Sequence, residues 1–392
     1  MHWLRPLVRA ALIGACACGA GAAHAGLLVL PHMLEFSKTV PGMYGLLEFG
    51  TTNVKGYYER DGRSAPVNQG SVDISAAIVG AVWIDNWFRD TSVPFLKTRT
   101  QSCGFALSAA HIQGRGSVVG PANILGLIAG ANQVGDLYLL CGVQDTTRRF
   151  GPVKGHLQPM LIVKAPIGGY ETDNLYNWGT NYWMYAPELA VHAEWGRFSL
   201  ESTALYQFNG RNDAPGSGGL DPTRPANWRN AAMDLGVKLT DRWWFDVGYS
   251  LNRSAGSNEF GKVNLSNPKP IPPAAACDPF QIPAAICNVN TSYYIQSRPG
   301  PYYDQGVRSD IAMASVYYAY RSSMLVNVRA ARIVRGRGSE IDPVFDVCTS
   351  QPCGPANAVQ QTSLRAQGVG EAAASPSTAF FEVRLIFPMG SP

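Results

Sequence analysis

The sequence of 392 residues predicts an all-β fold: an antiparallel transmembrane β-barrel of about twelve strands with long extracellular loops. Three features predict it. The first is alternation between Ala186 and Leu251. Phe198, Leu200, Ala204, Tyr206 and Phe208 fall on one face of a run, and Ser199, Glu201, Thr203, Gln207 and Asn209 on the other. Met233, Leu235, Val237 and Leu239 alternate with Asp234, Gly236, Lys238 and Thr240, and the run from Trp243 to Asn252 repeats the pattern. Successive strand side chains point to opposite faces, so each run is a strand with one apolar and one wet side. The second feature is an export signal at the start of the chain. The third is a rhythm of short and long connections, the way membrane barrels are built.

Taken in order, residues 1–25 read as a signal peptide. Arg5 and Arg9 make a basic start, Leu7 to Ala23 is apolar and rich in small residues, and Ala23-His24-Ala25 fits a small-x-small cleavage site. A retained anchor and lipoprotein processing at Cys16 are the rival readings. Residues 26–392 then form a single barrel domain exported to a Gram-negative outer membrane. No later stretch approaches the roughly 18 unbroken apolar residues of a membrane helix, so the chain spans with strands or not at all.

The predicted strands are 43–59, 71–84, 98–113, 136–146, 155–165, 182–195, 198–209, 230–240, 242–252, 310–321, 323–335 and 378–387. Tight turns fall at Gly196-Arg197, near Asp241 and near Ser322-Ser323. Long links run from Gly210 to Trp228, over 253–309 and over 336–377. An even strand number puts both termini and the tight turns at one end, the periplasmic one. Pro121 to Val134 is apolar and does not alternate, which suggests a short loop helix at the rim or in the pore mouth. The final run places Phe381, Val383, Leu385 and Phe387 on one face and Glu382 and Arg384 on the other. It resembles the last strand of outer-membrane proteins, except that Pro388 to Pro392 follow it. Trp178, Tyr182, Trp183, Tyr185, Trp195, Trp228, Trp243 and Trp244 gather near strand ends, where interfacial girdles sit.

Charged residues make up only 15% of the chain, and removing the leader takes the net charge from +4 to +2, which gives no case for nucleic acid. Of eight cysteines, six lie beyond the leader. The close pairs Cys277/Cys287 and Cys348/Cys353 sit in loops and suit disulfides in an oxidising compartment. Neither loop supplies the histidines or further cysteines of a metal site. Cys103 and Cys141 fall at similar heights in adjacent predicted strands; a cross-strand bond and two buried thiols both fit.

The candidate lumen face carries Lys164, Glu188, His192, Glu194, Glu201, Asp234, Lys238, Asp246, Arg329, Glu382 and Arg384. These are candidate pore-lining residues, and they are equally the material of structural ion pairs filling the interior. Glu188 and His192 share a face but stand about 13 Å apart at ~3.3 Å per residue, too far for a dyad without another strand's help. No GxSxG, HExxH or phosphate-loop pattern is present, so no cofactor, metal or catalytic residue is expected.

The segment Lys164 to Glu188 carries Pro166, Gly168 and Tyr170, then Asn177, Gly179 and Asn181, then Pro187 and Glu188. It resembles the outer-membrane family named for a MetA pathway of phenol degradation, the SphA-like transporters. Gly169 stands where that family usually has an acidic residue. Pro41-Gly42-Met43-Tyr44, Tyr58 to Gly62 and Val134 to Leu137 resemble the family's opening strand, turn and Gly-Asp strand start. The resemblance implies an outer-membrane barrel that passes small, often aromatic, compounds, set among lipid and lipopolysaccharide. The matched glycines and asparagines read as turn formers at the extracellular rim. The leading expectation is a passive channel for small, aromatic or hydrophobic solutes. A surface barrel that binds a partner through disulfide-held loops, and a membrane-embedded hydrolase, are the alternatives.

Overall fold

In a computed structural model, the structure describes residues 41–58, 62–66, 70–97, 99–116, 130–144, 148–171, 174, 177–214, 223–255, 294–297, 307–320, 324–337, 345–348, 354–355, 375–376 and 378–389. The predicted signal peptide, most of the 253–309 and 336–377 links, the turn at Ser322-Ser323, and Cys277, Cys287 and Cys353 lie outside the described residues. The backbone of Cys348 lies in a short strand paired with Tyr294–Ser297, and its bonding is likewise not described.

Twelve long strands form a closed antiparallel barrel. They are β1 (Gly42–Val54), β2 (Gly70–Asp85), β3 (Thr100–Gly116), β4 (Gly130–Gln144), β5 (Val153–Ala165), β6 (Met184–Trp195), β7 (Phe198–Asn209), β8 (Asn227–Lys238), β9 (Trp243–Ala255), β10 (Arg308–Tyr320), β11 (Met324–Arg337) and β12 (Ala379–Pro388). Each pairs with its sequence neighbours, and β1 pairs with β12 to close the ring. Closure removes every free edge of backbone donors, the condition for a sheet to sit in lipid. Gly196 turns the tight β6–β7 corner at φ 61°, a conformation that favours glycine.

The predicted span 198–209 is recovered in full. The largest departure is β4, which starts at Gly130. The end of the apolar Pro121–Val134 segment is therefore strand and not loop helix; residues 121–129 lie outside the described ones. A β-bulge between Leu107 and Ala109 lets Gly135 and Asp136 slip past the ladder, which breaks the alternation there.

Period-two patterning sorts the side chains. Val79, Phe105, Leu157, Leu189, Phe198, Met233, Leu235, Phe245, Val247 and Leu251 all point outward and are 37–53% exposed. Their even-spaced partners point inward. Trp183, Tyr185, Trp195 and Trp243 are exposed near strand ends, as a girdle requires. Trp178, Tyr182 and Trp228 are buried instead. Trp228 has the inward parity of β8, and a loop carries Trp178 to the bulge. Cys103 and Cys141 are bonded, cross-strand, on the outward face toward the periplasmic end.

Candidate functional site: the barrel interior

The inward faces build three layers. At the periplasmic end Tyr44, Val82, Ile84 and Ile386 pack together. At the extracellular end Ile311, Met313, Ala331, Ile333 and Phe380 form one apolar cluster, and Ile162, Tyr182, Met184, Ala186, Leu205 and Ala232 form another. Between them lies a polar belt.

The belt follows the strand register. Glu48 stands opposite Arg384, Glu382 opposite Arg329, Arg329 opposite Ser315, and Ser315 opposite Asp246. On the far side Asp234 stands opposite Glu201, Glu201 opposite His192, and His192 opposite His156. The contacts close along the row. Arg384 Nε donates to Glu48 Oε2 at 2.7 Å. Arg329 Nη1 donates to Glu382 Oε1 at 3.0 Å, its Nε to Ser315 Oγ at 3.0 Å and its Nη2 to the Tyr317 hydroxyl at 3.3 Å. Arg384 Nη2 also reaches Glu382 at 3.5 Å. Charge-assisted pairs of this kind make a buried arginine tolerable, since each guanidinium edge finds an acceptor.

His192 is held at both ring nitrogens, Nδ1 to Glu201 at 3.0 Å and Nε2 to Glu194 at 3.2 Å. Neither nitrogen is left to activate a hydroxyl, which counts against a hydrolase built on it. The His156 ring lies 5.0 Å from that of His192 and shares a 3.0 Å contact with Gln144.

The belt is interrupted on one wall. Inward β2 residues Val72, Ile74, Ala76, Ile78, Val82 and Ile84 are all apolar, and inward β3 adds Ala106, Ala110 and Ile112. This stripe joins the periplasmic apolar layer to the opposite rim.

Of the sequence candidates, Glu201, His192, Glu194, Asp234, Asp246, Arg329, Glu382 and Arg384 come together in or beside the belt. Glu188 faces inward above it, half-buried, opposite Met160. Lys238 sits at the periplasmic turn, its Nζ 2.7 Å from Asp241, outside the belt. That contact holds the exposed Asp241 carboxyl below its usual range. Lys164 belongs to a second, upper constellation. Its Nζ lies 3.4 Å from Asp136 and 3.8 Å from the centre of the Tyr182 ring.

Asp136 anchors the segment between β5 and β6. Its Oδ2 accepts from the Thr180 amide at 2.9 Å and hydroxyl at 2.7 Å, and its Oδ1 from the Gly168 amide at 3.1 Å. Trp178 Nε1 donates to Ser108 Oγ at 2.7 Å, across the bulge. The glycines here serve close approach and not turning. A Cβ on Gly168 would meet the Gly135 carbonyl carbon at 2.5 Å, and one on Gly135 would meet Ser108 Oγ at 2.3 Å. Among the segment's described residues, Asn181 takes a left-handed turn conformation, φ 55°. Sequence reasoning missed Glu48, Asp136, His156 and Ser315 as interior polar residues.

A family model described as "Putative MetA-pathway of phenol degradation" matches residues 58–262, just over half of the chain. A comparison with curated proteins finds no match. Among solved structures, the COG4313 outer membrane channel from Pseudomonas putida F1 superposes with a TM-score of 0.58 at 11% identity, covering 89% of this chain and 96% of that one. It shows the same barrel fold. The translocator domain of the autotransporter NalP from Neisseria meningitidis gives 0.35 at 10% identity over 90% of each chain. A FadL homologue from Pseudomonas aeruginosa gives 0.33 at 9% identity, covering 97% of this chain and 100% of that one.

Proposed function

Because this chain belongs to the MetA-pathway phenol-degradation family, we propose that it is an outer-membrane channel for the passive passage of small aromatic or hydrophobic compounds. The inward stripe on β2 and β3 carries this reading. A solute with an apolar ring gains by contact with it, at about 25 cal/mol per Å² removed from water. The cross-linked belt opposite holds the polar wall in place, because each of its long side chains is tied to another strand.

The barrel sits in the outer membrane with the short turns in the periplasm. Its outward apolar face suits lipid, and the exposed aromatics near the strand ends suit the two interfaces. Residues 1–25 are removed on export. The test is a planar-bilayer recording on the purified protein, paired with uptake of aromatic solutes into loaded liposomes. Discrete conductance together with flux is expected. Silence in both assays from protein that still shows a heat-modifiable gel band would sink the channel reading.

A further inference from the structure

We propose that the outer wall at the extracellular rim binds a phosphorylated glycolipid of the outer leaflet. Arg229, Arg253, Arg308 and Arg337 stand directly opposite one another across β8, β9, β10 and β11. All four have outward parity. Like charges facing each other on neighbouring strands repel, and the Tyr206 ring, 5.9 Å from Arg229, offsets this only in part.

Among the described residues one carboxylate lies within it. Asp310, outward and fully buried, accepts from both Arg253 and Arg308, each about a third exposed. It fixes two guanidiniums while leaving the described residues of the patch positive on balance. Arg335 lies opposite Asp310 and is exposed. At a strand spacing of about 4.8 Å the row spans roughly 14 Å. That width suits a head group with phosphate at more than one position and exceeds what a single phosphodiester can engage.

Below the row the wall is hollowed. An outward groove of about 620 Å³ runs across β10, β11, β12 and β1, floored by Ala312, Ala314 and Ala330, flanked by Phe381 and bordered by Arg332. Neighbouring outward positions carry Val316, Val328 and Leu251, so the alanines make a depression in an otherwise bulky surface. An acyl chain fits the groove while phosphate oxygens take paired N–H bonds from the guanidiniums above. Phosphate and acyl chain on one molecule distinguish a glycolipid from an acidic soluble partner, which would have no use for the groove.

The proposal rests on the outward wall facing lipid and not on conduction, so a protein silent in the bilayer assay can still confirm it. The full chain, refolded free of lipid in detergent, is titrated with bisphosphorylated lipid A, with dephosphorylated lipid A and with phosphatidylglycerol, and bound lipid is counted by native mass spectrometry. The bisphosphorylated form should bind at least tenfold tighter than either of the others, and millimolar inorganic phosphate should not displace it. The variant Arg229→Gln/Arg335→Gln/Arg337→Gln leaves both partners of Asp310 in place, and Ala312→Leu/Ala330→Leu fills the groove. Each should weaken binding about tenfold in protein that keeps its heat-modifiable band. Equal binding of phosphatidylglycerol, full displacement by phosphate, or unchanged affinity in both folded variants would overturn the site. The wild-type comparisons decide the matter even if a variant fails to fold.

Discussion

Arg329 is the central charge of the polar belt, between Glu382 and Ser315 in the strand register. It is fully buried and touches Glu382 on one neighbouring strand and Ser315 and Tyr317 on the other. Removing one partner of a buried pair costs more than replacing both, because a lone charge stays desolvated. Arg329→Met should therefore destabilise the barrel by about 3–5 kcal/mol. Arg329→Met/Glu382→Met should recover a large part of that loss. Urea titration of the heat-modifiable band measures both, and a double variant as unstable as the single would contradict the account. Arg329, Glu382 and Arg384 were legible from parity alone, each a charge set between apolar neighbours on an alternating strand. Glu48 was not, because Leu46 and Leu47 put apolar residues on both faces of its strand. Asp136 was hidden by the bulge, which shifts its parity relative to Ala131 and Gln133, the inward residues before it.

The segment between β5 and β6 shows what spacing can and cannot tell. Its glycines and asparagines read as turn formers at the rim, whereas Gly135, Gly168 and Gly179 prove to serve close approach of the backbone. Gly179 N donates to Gly169 O at 3.0 Å, and Gly169 N to Val134 O at 2.7 Å. Gly135→Ala would push a methyl group into Ser108 and Trp178. Hydrogen exchange over residues 166–183 should then become at least tenfold faster, since the Gly169 and Gly179 amides lose their partners. Gly196→Ala is the control. It strains a left-handed turn by about 1 kcal/mol but meets no atom, so exchange in 166–183 should not change. Equal exchange in wild type and Gly135→Ala would show that the segment does not depend on close approach. Apart from the start of β4 and the end of β1, the strands were legible to within about three residues of their ends, because lipid outside imposes a period of two. The Cys103–Cys141 bond was left open by spacing. Pairing at one height in adjacent strands is necessary for it, and only the register shows that the two residues are direct partners.

At the scale of the molecule, the interior divides into a charged arc and an apolar stripe, and the two should control different traffic. In the belt the carboxylates of Glu48, Glu201, Asp234, Asp246 and Glu382 outnumber the guanidiniums of Arg329 and Arg384. Rings rich in carboxylate favour cations, so the reversal potential in a potassium chloride gradient should carry the sign of cation selectivity. Anion selectivity would mean that the belt does not face the ion path. The stripe makes a separate demand. Ile74 is inward, 1% exposed and central to the apolar wall of β2, next to Ile112 of β3. Ile74→Asn keeps the side chain close in size but places an amide within the packed apolar wall past which an aromatic solute would move. Leaving water for that surface then gains less, while hydrated ions beside the arc meet the same charges as before. Uptake of a phenolic solute into liposomes should fall several-fold with potassium conductance within about twofold of wild type, one factor of ten being 1.4 kcal/mol. A parallel fall in both would indicate a general narrowing of the bore. An unchanged phenolic flux would remove the stripe from the path and, with it, the physical basis for preferring apolar solutes.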